Sequence, residues 1–152
     1  MPPTQPAPHA ARYHRPGDPW PLYASLDRET MWAEWANATD GQVPAEQDPR
    51  WVCSLDVDLR VLDLRDPAAR RALRAGIRAL RGPWSPDRPN RTTLRVARAA
   101  RDLGVDGMIV PSAAKSDGWN LVVLPGAFES VSLRRRRREI APQSARPVDT
   151  VE

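Results

Sequence analysis

Cysteine is almost absent from this chain of 152 residues: Cys53 stands alone. One thiol cannot close an internal disulfide, so the chain carries no disulfide framework of its own, which fits a reducing, cytoplasmic setting. Histidine is nearly as scarce, with only His9 and His14, and no Cys/His cluster is present. Asp56, Asp58 and Asp63 are spread over both faces of a strand pattern, so no metal site is expected. No run of about 18 apolar residues occurs, which excludes a membrane-spanning helix. The N-terminal residues lack the charged start and apolar middle of a signal peptide. Lysine occurs once, as Lys115, against many arginines, a bias read as GC-rich bacterial coding rather than mechanism. There are no internal repeats.

The length makes one domain the default, and a chain of this size buries roughly 70% of its unfolded surface. The formal charge is +4, yet Arg134 to Arg138 alone supply five positive charges. The rest of the chain is close to neutral, so only one short segment has a nucleic-acid signature. Such a run is more often a solvated end. Residues 1–11 are rich in proline and read as a flexible extension. Residues 134–152 read as a basic, disordered tail.

Between these ends the pattern is mixed. Ser25 to Ala38 reads as a short helix. From Arg50 to Leu64, apolar Cys53, Leu55, Val57, Leu59 and Val61 alternate with polar residues, predicting a strand with one buried face and a bend near Asp58. Asp66-Pro67 opens a helix, with Asp as cap and proline at the first helical position. Ala69, Leu73, Ile77 and Leu80 give that helix a buried stripe, and Gly82 ends it. Pro83 to Asn90 is a loop. Thr92 or Thr93 is expected to cap the next helix, which buries Leu94, Ala97, Ala100 or the stem of Arg101, and Leu103 before Gly104 ends it. Met108-Ile109-Val110 and Leu121-Val122-Val123-Leu124 read as buried strands, and Phe128 to Leu133 as an edge strand. Without regular βαβ alternation, this order argues for an α+β fold.

Glu34 is the residue of most chemical interest. Residues three, four and seven apart share a helix face, so Met31, Glu34, Trp35 and Ala38 lie together and set a carboxylate among apolar neighbours. An ionised carboxylate out of water is unfavourable unless it is paired, so such a position is structural or chemical. Before it come Arg12-Tyr13, Gly17 and Leu22-Tyr23-Ala24-Ser25, with eleven residues from Arg12 to Tyr23 and eleven from Tyr23 to Glu34. Much later come Gly104-Val105-Asp106-Gly107-Met108-Ile109-Val110-Pro111-Ser112 and Gly118-Trp119-Asn120-Leu121-Val122-Val123-Leu124. This series, from about Arg12 to about Leu133, resembles the RES domain, named for its Arg, Glu and Ser. RES proteins are the toxins of RES–Xre toxin–antitoxin pairs.

The resemblance implies an ADP-ribosyltransferase-like core, a mixed or antiparallel sheet with flanking helices, over residues 12–133. It implies cleavage of NAD at the nicotinamide–ribose bond through an oxocarbenium-like cation. The ADP-ribose then passes to phosphate, water or a protein, as NAD phosphorylase, NAD glycohydrolase or transferase. NAD is substrate here, with no further cofactor. Arg12 matches the family arginine and would anchor the dinucleotide; Arg15 is a nearby rival. Tyr23 matches the tyrosine that would stack on nicotinamide, and equally suits a core position at a strand end. Glu34 matches the glutamate that would hold the ribose hydroxyls and stabilise the cation. Ser112 has no histidine placed to activate it, so it reads as a ribose- or phosphate-binding residue rather than a nucleophile. Asn120 is a weaker binding candidate beside it. The six tryptophans read as core and rim, with Trp35 and Trp119 able to wall a pocket.

Family members usually carry more sequence ahead of Arg12, including a first strand and another arginine followed by an aromatic. Met1 to Ala11 holds no arginine. An alternative reading is therefore an N-terminally shortened, catalytically degenerate RES domain that binds a nucleotide or a partner. A third is a nucleic-acid-associated protein acting through Arg134 to Arg138. The toxin reading implies an Xre-type helix-turn-helix antitoxin that covers the cleft and is encoded by an adjacent gene. Nucleic acid would then be met only indirectly, through that antitoxin, with inorganic phosphate as a further small partner and no membrane.

Overall fold

Gly107–Pro111 (β4) and Trp119–Val123 (β5) form an antiparallel pair at the centre of a four-stranded sheet. Leu22–Ser25 (β1) pairs antiparallel with β5, and Val61–Asp63 (β3) pairs parallel with β4, giving the order β1-β5-β4-β3. This computed structural model describes residues 11–39 and 49–140. The parallel step from β3 to β4 requires a crossover. Three helices supply it: Pro67–Ala72 (α2), Ile77–Arg81 (α3) and Arg91–Asp102 (α4). The fold is α+β around a mixed sheet.

Both faces of the sheet are covered. Met108, Val110 and Val122 point to one side and pack with Leu64, Leu80, Val96, Ala97 and Ala100. Ile109, Leu121 and Val123 point to the other and pack with Ala127, Leu22, Phe128 and Val131. Strands buried on two faces lose their polar alternation, which is why β4 and β5 appear in the sequence as unbroken apolar runs.

Several expectations are corrected. The helix foreseen from Asp66 to Gly82 is two helices. Arg74 adopts a left-handed conformation with φ 49°, and the N–H groups of Arg74 and Ala75 bond back to the carbonyls of Arg71 and Arg70. That is the bonding pattern of a Schellman cap, built here on arginine where glycine is usual. Asp66 does cap α2 and Gly82 does close α3.

The cap of α4 is Asn90, whose side-chain oxygen accepts from the N–H groups of Thr92 and Thr93. Thr93 is buried instead, in the stripe Thr93, Val96, Ala97 and Ala100, while Leu103 is exposed.

The strand foreseen from Arg50 to Leu64 is divided between two sheets. Arg50–Val57 (β2) leaves the main sheet and pairs antiparallel with Val131–Glu139 (β6) in a separate ribbon, broken by a register shift between Ser54 and Leu55. Cys53 and Val57, foreseen as buried, are exposed. Phe128–Ser130 is a single 3₁₀ turn rather than strand.

Arg134 to Arg138 lie within β6, not in a tail. Trp51, paired with Arg138, has the Arg136 guanidinium over its ring at 4.1 Å. Glu139 is buried and takes hydrogen bonds from Arg28 and Arg137. Burial alone would push its carboxyl up, but these two arginines outweigh that and hold it below the usual carboxylate range. The remainder of the expected tail, residues 141–152, and residues 1–10 of the proline-rich extension lie outside the described residues.

Candidate active site

Arg28–Ala38 (α1) carries Glu34. The helix begins where Asp27, in extended conformation, accepts from the Thr30 N–H at 2.8 Å and the Thr30 hydroxyl at 2.7 Å. These bonds hold the Asp27 carboxyl below its ordinary value. Thr30 is fully buried against Gly118, where a Cβ would fall 2.5 Å from Thr30 Oγ1. Only glycine lets α1 lie that close to the turn between β4 and β5. Glu34 follows Thr30 by four residues, so it projects from the same helix face toward that turn.

The Glu34 carboxylate meets polar partners there rather than the apolar setting foreseen. Its Oε1 accepts from the Ser112 hydroxyl at 2.6 Å and from Asn120 Nδ2 at 2.6 Å. Among the described residues, Oε2 has no hydrogen-bond partner. Asn120 is fixed in turn by Ser25 Oγ, which donates to its Oδ1 at 2.8 Å across the β1–β5 pair. Ser112 is fully buried at the end of β4. Its hydroxyl accepts from the N–H groups of Ala114 and Lys115 while donating to Glu34. One donor and two acceptor sites are all a hydroxyl has, so Ser112 is fully engaged.

Tyr23 lies two residues before Ser25 on β1, hence on the same strand face. The residue is two-fifths exposed, and its hydroxyl stands 3.0 Å from His14 Nδ1. Burial of the hydroxyl end pushes its pKa up to about 12, against the opposing pull of a Tyr13 backbone hydrogen bond and of Arg101 and Arg12. Tyr13 is buried, and its hydroxyl finds no partner among the described residues. Burial drives its pKa above the ordinary range, opposed by Arg12 and reinforced by Tyr23 and Glu34. Both phenols are therefore neutral O–H groups.

Arg12 is half-buried. Its Nη1 donates to the carbonyls of Leu80 at 3.1 Å and Gly82 at 2.8 Å, at the end of α3. Its own carbonyl accepts from the Thr93 hydroxyl. Arg15 sits apart and exposed, with its N–H on Asp18. Trp35 stands edge-on to Trp32 at 5.6 Å, and Trp119 packs into the second core layer.

Sequence reasoning named Glu34, Ser112 and Asn120 as separate ligand-binding candidates, and the structure joins them in one hydrogen-bonded group. Sequence reasoning missed Ser25, Tyr13, His14 and Arg81, whose Nε donates to the Ser112 carbonyl at 3.0 Å. Of these only Tyr13 and Ser25 lay inside the motifs read from the sequence. Among the described residues no group of three His, Cys, Asp or Glu could hold a metal ion. No described helix is long and apolar enough to cross a membrane.

Comparison with known proteins matches residues 1–144 to the family described as RES domain. A Mycobacterium tuberculosis protein named as a probable NAD(+) phosphorylase is 33% identical over 133 residues, which is 87% of this chain and 62% of that protein. The chain therefore spans somewhat less than two thirds of that relative's length. Among solved structures, a chain of the M. tuberculosis MbcT–MbcA toxin–antitoxin complex superposes with a TM-score of 0.62 at 26% identity. That match covers 86% of this chain and 72% of the other.

Proposed function

The chain belongs to the RES domain family, and on that premise we propose that it cleaves NAD at the nicotinamide–ribose bond. The observation that carries this reading is the Glu34 carboxylate, with Oε1 held by Ser112 and Asn120 and Oε2 without a partner among the described residues. A carboxylate fixed by one oxygen and open at the other is pre-organised to meet positive charge as it develops. Pre-organised charge of this kind usually lowers a barrier more than any other single effect.

In the proposed reaction, the bond between the ribose C1 and the nicotinamide nitrogen breaks with its electron pair staying on nitrogen. Neutral nicotinamide leaves, and an oxocarbenium-like cation remains on the ribose. Glu34 Oε2 faces the ribose hydroxyls and stabilises that cation. Ser112 and Asn120 hold Glu34 and line the ribose end. Tyr23 stacks on the nicotinamide through its ring. Arg12 keeps Nε and Nη2 for the dinucleotide, since only its Nη1 is taken by α3. An acceptor oxygen then bonds to C1: phosphate gives a phosphorolysis product, water gives ADP-ribose. The relative's name as a phosphorylase supports phosphate.

The structural neighbour is a toxin–antitoxin complex, which supports a toxin role with an antitoxin partner. We take that partner to be an Xre-type helix-turn-helix protein, and the compartment to be the cytoplasm, where NAD depletion would act. The test is nicotinamide release from NAD by the full chain, with and without phosphate. Glu34→Gln is expected to lower kcat by about 10²–10³-fold. A folded wild type that releases no nicotinamide rejects the reading and favours the binding-module alternative.

A further inference from the structure

We propose that Arg81 is a phosphate-binding residue of this site, its guanidinium held ready for an oxyanion by Arg12's grip on the end of α3. The proposal rests on the NAD-cleaving reading for its substrate, though its geometry stands apart from it. Arg81 is the last residue of α3, and Arg12 Nη1 binds the carbonyls of Leu80 and Gly82, the residues on either side of it. Asn90 Nδ2 takes the Ala79 carbonyl at 2.7 Å. The carbonyls at this helix end are thus satisfied by Arg12 and Asn90, and Arg81 is not needed to cap its own helix. It reaches outward instead, with Nε on the carbonyl of Ser112, the residue whose hydroxyl holds Glu34.

What remains of Arg81 is its Nη1–Nη2 end, four N–H groups in one plane. Among the described residues that end has no hydrogen bond and no carboxylate within ion-pairing distance. The other cation near this turn differs. Lys115 Nζ is neutralised by Asp117 at 2.5 Å and Glu29 at 3.6 Å. Arg28, Arg65 and Arg137 also sit on carboxylates. Arg81 is therefore a half-buried positive charge, pinned at Nε and without a salt bridge at its far end, with the Lys115-paired Asp117 carboxylate only in longer-range electrostatic reach. A guanidinium fixed in this way loses little freedom on binding, and its two parallel donors match two oxygens of a tetrahedral phosphate. The oxyanion has two sources, the pyrophosphate of the dinucleotide or the free phosphate that accepts the ribose.

The test is calorimetric titration of the full chain with three probes. ADP-ribose carries the pyrophosphate, inorganic phosphate is the second source, and nicotinamide riboside has no phosphate. Arg81→Gln is expected to weaken ADP-ribose, inorganic phosphate or both by about tenfold or more, the scale of a lost charge-assisted fork. Nicotinamide riboside should stay within about twofold of wild type. Loss on ADP-ribose alone assigns Arg81 to the dinucleotide, and loss on phosphate alone assigns it to the acceptor. Arg81→Lys keeps the charge without the fork and should show a smaller loss on the same probe. It carries the test if Arg81→Gln does not fold, and a Lys variant matching wild type on both oxyanions then overturns the proposal. So does Arg81→Gln binding both oxyanions like wild type, wild type binding neither, or a parallel loss on nicotinamide riboside. Nicotinamide release is measured beside these titrations. A wild type that binds an oxyanion through Arg81 yet releases no nicotinamide removes the cleavage reading and leaves the anion site.

Discussion

Ser112 Oγ donates its one hydrogen to Glu34 Oε1 across 2.6 Å, joining the end of β4 to the middle of α1. The same oxygen accepts from the N–H groups of Ala114 and Lys115, which fold the turn after β4. A single buried hydroxyl thus shapes the turn and aims the carboxylate. In the proposed reaction Ser112 is therefore an orienting group for Glu34.

Ser112→Ala is therefore expected to lower NAD turnover by about ten- to a hundredfold, since a hydrogen bond to a charged group is worth about 1.5–3 kcal/mol. The orphaned N–H groups of Ala114 and Lys115 should also lower the denaturation midpoint. Steady-state kinetics on the folded variant decide it, and an unchanged kcat would leave Ser112 a purely structural role.

Asp27 gives a pH dependence. Its carboxylate caps α1, and the Thr30 N–H and hydroxyl hold its pKa below the ordinary value. A carboxyl depressed in the folded state contributes stability that is complete above its unfolded value, about pH 4. That stability is lost as pH falls through the lowered folded value. Asp27→Ala should destabilise by about 1 kcal/mol at neutral pH. The gap between wild type and variant should close below about pH 4. Urea denaturation across pH measures both, and a gap that persists at low pH would contradict the cap's ionisation.

The central strands, the cap at Asp66 and the stop at Gly82 were legible because each is set by local chemistry, whereas the helix expected from Ser25 begins only at Arg28, after the Asp27 cap, and Ser25 belongs to β1. Arg74 was not, since its left-handed turn interrupts an apolar stripe that continues in register from Leu73 to Ile77. The arginine run misled for a different reason. Its strand pairing depends on β2, about eighty residues earlier in the chain, and its charges are managed by Trp51 and by Glu139, neither visible as a partner in sequence. The site divides the same way. Glu34, Ser112 and Asn120 follow from motif order, whereas Arg81 is one arginine among many until α3 is placed against β4.

Arg74 makes a stability prediction with no bearing on the site. A non-glycine residue in the left-handed region is disfavoured by about 1–2 kcal/mol, and glycine removes that strain at some cost in unfolded-state entropy. Arg74→Gly should therefore stabilise the protein by about 0.5–1 kcal/mol. Its backbone carbonyl, which accepts from Arg95, is retained. A lower denaturation midpoint would show that the Arg74 side chain has a role of its own.

Gly118 tests how α1 is held over the site. A Cβ there would meet Thr30 Oγ1 at 2.5 Å and Thr30 Cγ2 at 2.9 Å, distances at which something must shift. Thr30 cannot swing away, because it is fully buried and its hydroxyl is on Asp27. Gly118→Ala should therefore push the start of α1 off the turn, carrying Glu34 out of reach of Ser112 and Asn120. Turnover should fall by about tenfold or more, because misplacement by about 1 Å is enough to lose that much. Thr30→Ala removes both clashing atoms, at the loss of one bond to Asp27. If the clash is the cause, the double variant Gly118→Ala with Thr30→Ala should be more active than Gly118→Ala alone, a coupling that independent sites do not show. Additive losses instead would mean that Gly118 matters through the path of the turn and not through its contact with α1.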